Sequence, residues 1–335
     1  MLTTPRTNRP ASCARLLDRV DSAYLDCISD AVALVLAHAG VDDVRSPFAV
    51  DWRFDLADRD APWPRLDLPP ADLTERLAHR TGHTLSWHRL TSLTEALPAW
   101  RELLAAGTPV LVVGDAFGLP WVPYAGHEHM DHGFVLDDLD ETEHGEIVAQ
   151  VTDPYDNTTE WGRAQPHTTT VPLGELAPAL NGGRWGVLGR TGPSHAIDVA
   201  ECLRTNAGAV LAAQHRGDLQ RFVDAHRLLD RAALENLTLQ TWLLARNRAL
   251  HGRWLADVAS ALPGLGLDHL PDRFDATVTR AWRRASEASY LALRRLRGGR
   301  TVPPACLAAT AEATGAEAEL AAGIANSLPS THAED

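Results

Sequence analysis

Cys27 stands in Tyr24-Leu-Asp-Cys-Ile-Ser-Asp-Ala-Val-Ala-Leu-Val-Leu-Ala-His-Ala-Gly40, where a polar approach turns into an apolar helix. Asp26 is the natural N-cap and Gly40 the stop, which puts Cys27 in the first helical turn. Unpaired backbone N–H groups and the positive helix end favour a thiolate there and offer donors to an oxyanion. The charges of Asp26 and Asp30 oppose that ionisation, so a histidine must supply most of the activation. Taken alone, the same cysteine also reads as a small buried side chain of a core helix.

A histidine and an acid occur in the right context. The apolar run Pro109–Val113 predicts a buried strand. His132–Leu136 and Glu146–Thr152 predict two further strands around the polar loop Asp137–Gly145. A hairpin symmetric about Thr142–Glu143 sets His132 opposite Asp153 and Phe134 opposite Val151, all on one face. A carboxylate beside an imidazole on neighbouring strands orients a base and stabilises its cation. A register slip of one residue would separate them. The order Cys27, His132, Asp153 on helix, strand and strand is the pattern of a cysteine nucleophile with its base and orienting acid.

The residues that carry this pattern resemble the butirosin biosynthesis protein H family, whose N-terminal domain has a papain-like fold. They are Cys27 at its helix start, Pro109-Val-Leu-Val-Val-Gly-Asp115 with Leu119-Pro120, His132-Gly-Phe-Val-Leu136, and Val151-Thr-Asp-Pro154. The likeness spans about residues 20–190. It implies an acyltransferase of natural-product biosynthesis. Such an enzyme takes an acyl group from a carrier-protein thioester onto cysteine and hands it to an amine. By position, Cys27 would be the nucleophile, His132 the base and Asp153 its orienter. The phosphopantetheine of the carrier would be the donor arm, with no cofactor bound by the enzyme itself. Asp26 replaces the histidine that many members place before the nucleophile. Ser46–Asp55 replaces their glycine-rich stretch, and Asp21 stands where papain-like peptidases have glutamine.

The elements that must position these residues point to an α+β fold. A papain-like catalytic domain is expected over residues 1–192 and a mainly α-helical domain, covering its cleft, over 193–328. The division falls at the loop-rich Arg190–His195, after a last strand at Gly183–Leu188. Apolar spacing predicts helices over Ala196–Gln214, Leu219–Leu250, Gly252–Ala261, Asp272–Leu296 and Pro303–Ser327. Met1–Pro10 and Pro329–Asp335 read as disordered. A length of 335 residues suits two domains. Four scattered cysteines show no CxxC pair, which argues against disulfide or zinc frameworks and for a reducing cytoplasm. Met1–Pro10 is unlike a signal peptide, and there is no apolar run of membrane-spanning length. A net charge of −13 disfavours nucleic acid as a partner. All 31 basic residues are arginine, which excludes a lysine Schiff base.

Around this centre, Asp115 at a strand end is a candidate to bind the amine acceptor, or else an ordinary turn residue. Trp121 and Tyr124, close to His132 along the chain, are expected to line a substrate channel. His127, His129 and His132 lack a second ligand cluster, so no metal site is expected. Arg283, Arg284, Arg294 and Arg295 form a cationic run in an acidic chain. It reads either as a solvated helix face or as a surface for an acidic carrier protein. The residues also permit hydrolysis or cyclisation of the same thioester, and a catalytically silent carrier-binding protein of the same fold.

Overall fold

The computed structural model describes residues 12–57, 61–68, 72–261 and 268–327. The expected disorder at both termini therefore lies outside the described residues. The fold is α+β, with an antiparallel sheet in one unit and helices in the other. The described residues up to 47 and from 72 to 195 form the first unit, and those from 48 to 68 and from 196 to 327 the second.

In the first unit, a 3₁₀ turn (Cys13–Arg19) precedes α1 (Cys27–His38). Asp26 caps α1 by accepting from the N–H groups of Ile28 and Ser29, each at 3.0 Å. Gly40 ends it at φ +82°, where a side chain would be strained. The apolar residues Ala31–Ala37 are all buried, as a helix apolar on every side requires. A single turn α2 (Ser46–Ala49) carries the chain from the last residues of this segment into those of the second unit, and the first unit resumes with α3 (Leu73–Thr81), β1 (His83–Arg89) and α4 (Leu93–Ala105). Next come β2 (Val110–Asp115), β3 (Asp131–Glu141), β4 (Ile147–Asp153), a small hairpin of β5 (Asn157–Thr159) and β6 (Gly162–Ala164), β7 (His167–Pro172), α5 (Leu173–Leu180) and β8 (Arg184–Arg190). The main sheet has the order β1-β8-β2-β3-β4-β7, and every neighbouring pair is antiparallel. Val110–Val113 at its centre is buried on both faces, which is why that run is apolar without alternation.

The β3–β4 hairpin differs from the expected register. Val135 pairs with Thr152 and Leu136 with Val151, and beyond a bulge Asp138 pairs with Gln150. Continuing the first register sets Asp153 opposite Phe134, two residues from the expected His132. A two-residue slip keeps the same face, so His132 and Asp153 still meet as diagonal neighbours. The extra residue, Asp137, has work of its own. Its carboxylate accepts from the backbone N–H of Cys13 at 3.3 Å and from the Thr152 hydroxyl at 2.5 Å. A bulge that re-aims one side chain in this way is invisible to hairpin symmetry.

The second unit contains α6 (Val199–His215), α7 (Asp218–Ala225), α8 (Arg231–Ala261), α9 (Leu270–Phe274), a π-turn (Asp275–Thr279), α10 (Arg280–Arg297) and α11 (Ala305–Ser327). The expected helix Leu219–Leu250 is broken near 226–230, where Leu229 has φ 51° and Asp230 caps α8 through the Ala233 N–H. No break occurs at Gly252. That glycine sits inside α8, where an added Cβ would lie 3.5 Å from the Phe274 ring. Residues 48–57 and 61–68, expected inside the catalytic domain, group instead with these helices. Buried side chains hold their backbone: His251 Nδ1 donates to the Ala49 carbonyl at 2.7 Å, Asn206 to that of Val50 at 2.8 Å, and Arg248 to that of Arg53 at 2.6 Å. Arg248 is itself a fully buried partner of Glu317, which also accepts from Trp282 Nε1 at 2.7 Å.

The tightest constraint near Cys27 is the approach of α1 to β3. A Cβ on Gly133 would lie 2.8 Å from the Ile28 Cα and 2.9 Å from the Cys27 carbonyl oxygen. Both are backbone atoms, so the helix start itself must move if that position gains a methyl group. Gly133→Ala is expected to cost about 1–3 kcal/mol of stability, the range for overpacking, and to slow alkylation of Cys27. Denaturant melts and iodoacetamide rates measure both. A variant as stable and as reactive as the parent would show that the helix does not depend on this approach.

Candidate active site

Three elements bring the candidate residues together. His132 is the second residue of β3 and is 1% exposed, and Asp153 ends β4 and is 2% exposed. His132 Nε2 donates to Asp153 Oδ2 at 2.7 Å. The same oxygen accepts from Trp121 Nε1 at 2.8 Å, and Oδ1 accepts from the Tyr155 backbone N–H at 3.0 Å. A buried carboxylate is tolerable only when its lone pairs are met in this way. Cys27, at the start of α1, is close enough to the His132 ring to influence its charge, and its Sγ lies 3.7 Å from the carbonyl oxygen of Asp131.

The electrostatics follow from this packing. Burial alone would strip His132 of its charge. The neighbouring charges of Asp153 and Cys27 and the hydrogen bonds to both prevail, and its pKa rises to about 10. Burial likewise disfavours ionisation of Asp153, but the imidazolium and three donors hold it below the usual carboxylate range. The resting ring is therefore an imidazolium near neutral pH, locked between a carboxylate and a sulfur. A raised histidine pKa stabilises the fold fully below the ordinary value near 6.5, and a lowered aspartate pKa does so above its ordinary value near 3.9. The pair's contribution is thus complete between about pH 4 and 6.5. It falls away as pH rises toward 10, and again in stronger acid. Burial pushes the thiol of Cys13 up, reinforced by Asp137, and that of Cys306 up as well.

The other expected site residues fall in different places. Trp121 is half-buried, and its indole N–H is committed to Asp153. Tyr124 is 1% exposed, and its hydroxyl lies 3.0 Å from His132 Nδ1. Asp115 caps a 3₁₀ turn through the Phe117 N–H at 3.1 Å and pairs with His129 at 2.6 Å, the part of a strand-end turn residue. The three histidines do not converge: His127 stacks on Trp161 and His129 on Phe117, while His132 is buried. Among the described residues no group of His, Cys, Asp and Glu side chains is placed to hold a metal. The helix N–H groups expected to face an oxyanion are largely taken, since the Asp26 carboxylate accepts from Ile28 and Ser29. Cys27 keeps its own N–H. Sequence reasoning missed the roles of Gly133 and of the Tyr124 hydroxyl, and the glycine directly after His132 was the available signal for the first.

Arg283, Arg284, Arg294 and Arg295 are exposed on α10. Arg284 pairs with Glu312, Arg295 Nε donates to the Thr301 carbonyl at 3.0 Å, and Arg294 lies over the Tyr290 ring of its own helix. No helix among the described residues is long and apolar enough to cross a membrane.

The span from the capped cysteine to the buried aspartate is also what a comparison with known families picks out. Residues 26–154 match the family described as butirosin biosynthesis protein H, N-terminal. The match starts at the N-cap of Cys27 and ends one residue past Asp153, so the nucleophile candidate and both of its partners lie inside it. The family resemblance read from the sequence holds over this segment. No curated protein matches the chain.

Asp153→Asn keeps the size and removes the charge that holds the imidazolium. The expected result is an intact fold with a Cys27-dependent reaction slowed by roughly 10- to 10⁴-fold, the range seen when such an orienter is neutralised. An unchanged rate with a p-nitrophenyl ester would place the supporting acid elsewhere.

Proposed function

We propose that the protein is a cysteine-dependent acyltransferase of natural-product biosynthesis, with a papain-like arrangement of its first unit. The single observation that carries this reading is the buried Asp153–His132 pair presented to a cysteine at a helix start. The match to a family named for butirosin biosynthesis supports antibiotic biosynthesis as the setting.

In this reading the Cys27 thiolate attacks the thioester carbon of an acylated carrier protein. The new C–S bond forms, the bond to the phosphopantetheine sulfur breaks, and the departing thiolate takes the proton from His132 Nδ1. The ring is now neutral and faces a thioester rather than an anion, so it can accept a proton. An amine attacks the acyl carbon, gives its proton to Nδ1, and expels the Cys27 thiolate as the amide forms. The imidazolium is restored. The enzyme needs no cofactor of its own in this scheme. Arg283, Arg294 and Arg295 have no carboxylate at ion-pair distance among the described residues, which favours them over the paired Arg284 as a surface for an acidic carrier.

Intact-mass analysis after mixing with acyl-loaded carrier proteins tests both levels. The expected outcome is a mass gain equal to the acyl group, absent in Cys27→Ala and discharged by an amine. Replacing Arg283, Arg294 and Arg295 with Glu should slow loading from the carrier at least several-fold and leave loading from a short thioester nearly unchanged. Equal loss with both donors would assign these arginines to the fold. No mass gain from any donor would contradict the acyltransferase reading.

A further inference from the structure

We propose that Tyr124 is a positioning residue that holds His132 in its neutral, proton-accepting form during the second half of the reaction. The proposal rests on the acyl-cysteine reading above and adds a step-specific role to a residue whose side chain is sealed from solvent.

The observations are geometric. Tyr124 sits in the turn between β2 and β3, where its backbone carbonyl accepts from the N–H groups of His127 and Glu128 at 3.0 and 3.3 Å. Its ring is 1% exposed, and the contact of its hydroxyl is with His132 Nδ1, at 3.0 Å. The opposite ring nitrogen, Nε2, is fixed as a donor by Asp153. Nδ1 is therefore the atom whose proton comes and goes; it faces Tyr124, and Cys27 is close enough to influence the charge of the same ring.

A hydroxyl is donor and acceptor at once, so it can satisfy Nδ1 in either state. Before acylation the ring has the Cys27 sulfur beside it. Once Cys27 carries an acyl group, that sulfur is bonded to carbon and Nδ1 has lost its proton. A buried ring nitrogen without a donor is costly, and the Tyr124 O–H is placed to donate to it. Burial also opposes ionisation of the phenol, first among the causes that push its pKa upward, so the proton stays available for donation. As the incoming nucleophile gives its proton to Nδ1, the same oxygen turns from donor to acceptor.

An activated ester separates the two halves without knowledge of the natural substrate. With p-nitrophenyl acetate, Sγ attacks the carbonyl, the C–S bond forms, the C–O bond breaks, and p-nitrophenolate leaves with the Nδ1 proton. Water then adds to the thioester carbon, its proton passes to Nδ1, the C–S bond breaks, and acetic acid departs. In Tyr124→Phe the burst of p-nitrophenol is expected to remain within about threefold of the parent, because acylation starts from the imidazolium. The steady rate after the burst should fall at least tenfold. Hydroxylamine, a nucleophile with little need of a base, should narrow that gap. A loss shared equally by burst and steady state, or no loss in either, would overturn the role. Absence of a Cys27-dependent burst in the parent would overturn the acyl-cysteine reading, and this role with it. Nitrogen-15 spectra of the acetylated parent require no variant. Nδ1 should appear unprotonated and accepting a hydrogen bond, and an Nδ1 that is protonated, or free of an accepted bond, would contradict the proposal.

Discussion

The carboxylate of Asp153 and the imidazole of His132 are both out of reach of water, and each is tolerable only because the other is there. Removing one partner would leave an uncompensated buried charge, which typically costs about 3–5 kcal/mol. This constraint organises the neighbourhood. β3 and β4 must share a face at these positions, the Trp121 indole must reach back to Asp153, and Pro154-Tyr155 must turn so that the Tyr155 N–H points at Oδ1. In the proposed reaction, the charge that results is also what the chemistry draws on. A ring held protonated by a buried carboxylate is the natural counter-ion for a sulfur anion at the next position along.

The cysteine is delivered by different means. A capped helix start carries it, and the absence of a side chain on Gly133 lets that helix approach the strand bearing His132. The cap has a chemical consequence. By taking the N–H groups of Ile28 and Ser29, Asp26 fixes the helix start but consumes donors that would otherwise face a developing oxyanion. It also sets a negative charge beside the sulfur. The arrangement thus relies on the imidazolium, more than on the helix end, to favour the reactive form of Cys27.

Much of this was legible in the chain because the signals are local. Asp26, Cys27 and Gly40 define a helix by capping chemistry alone, and the Val110–Val113 run defines a central strand by its lack of alternation. The convergence of His132 and Asp153 survived an incorrect register because a two-residue slip preserves the face. What could not be read was set by tertiary contacts. The bulge at Asp137 exists to meet the 3₁₀ turn and Thr152, which are far apart in sequence. Trp121 and Tyr124 were recognised as neighbours of the site, yet their hydrogen bonds to Asp153 and His132 depend on how one loop folds back. Residues 48–57 leave the first unit because Arg248, His251 and Asn206, roughly 150–200 positions away, bind the backbone of Ala49, Val50 and Arg53. Gly252 reads as a helix break by composition yet lies inside α8.

The account depends on His132 being charged when the enzyme is at rest. Nitrogen-15 spectroscopy of the His132 side chain across pH reads that state directly. Both ring nitrogens should remain protonated at pH 8, with the proton lost only as pH approaches about 10. A ring that is neutral at pH 8, titrating near the ordinary histidine value of about 6.5, would contradict the central claim that Asp153 and Cys27 together hold its proton.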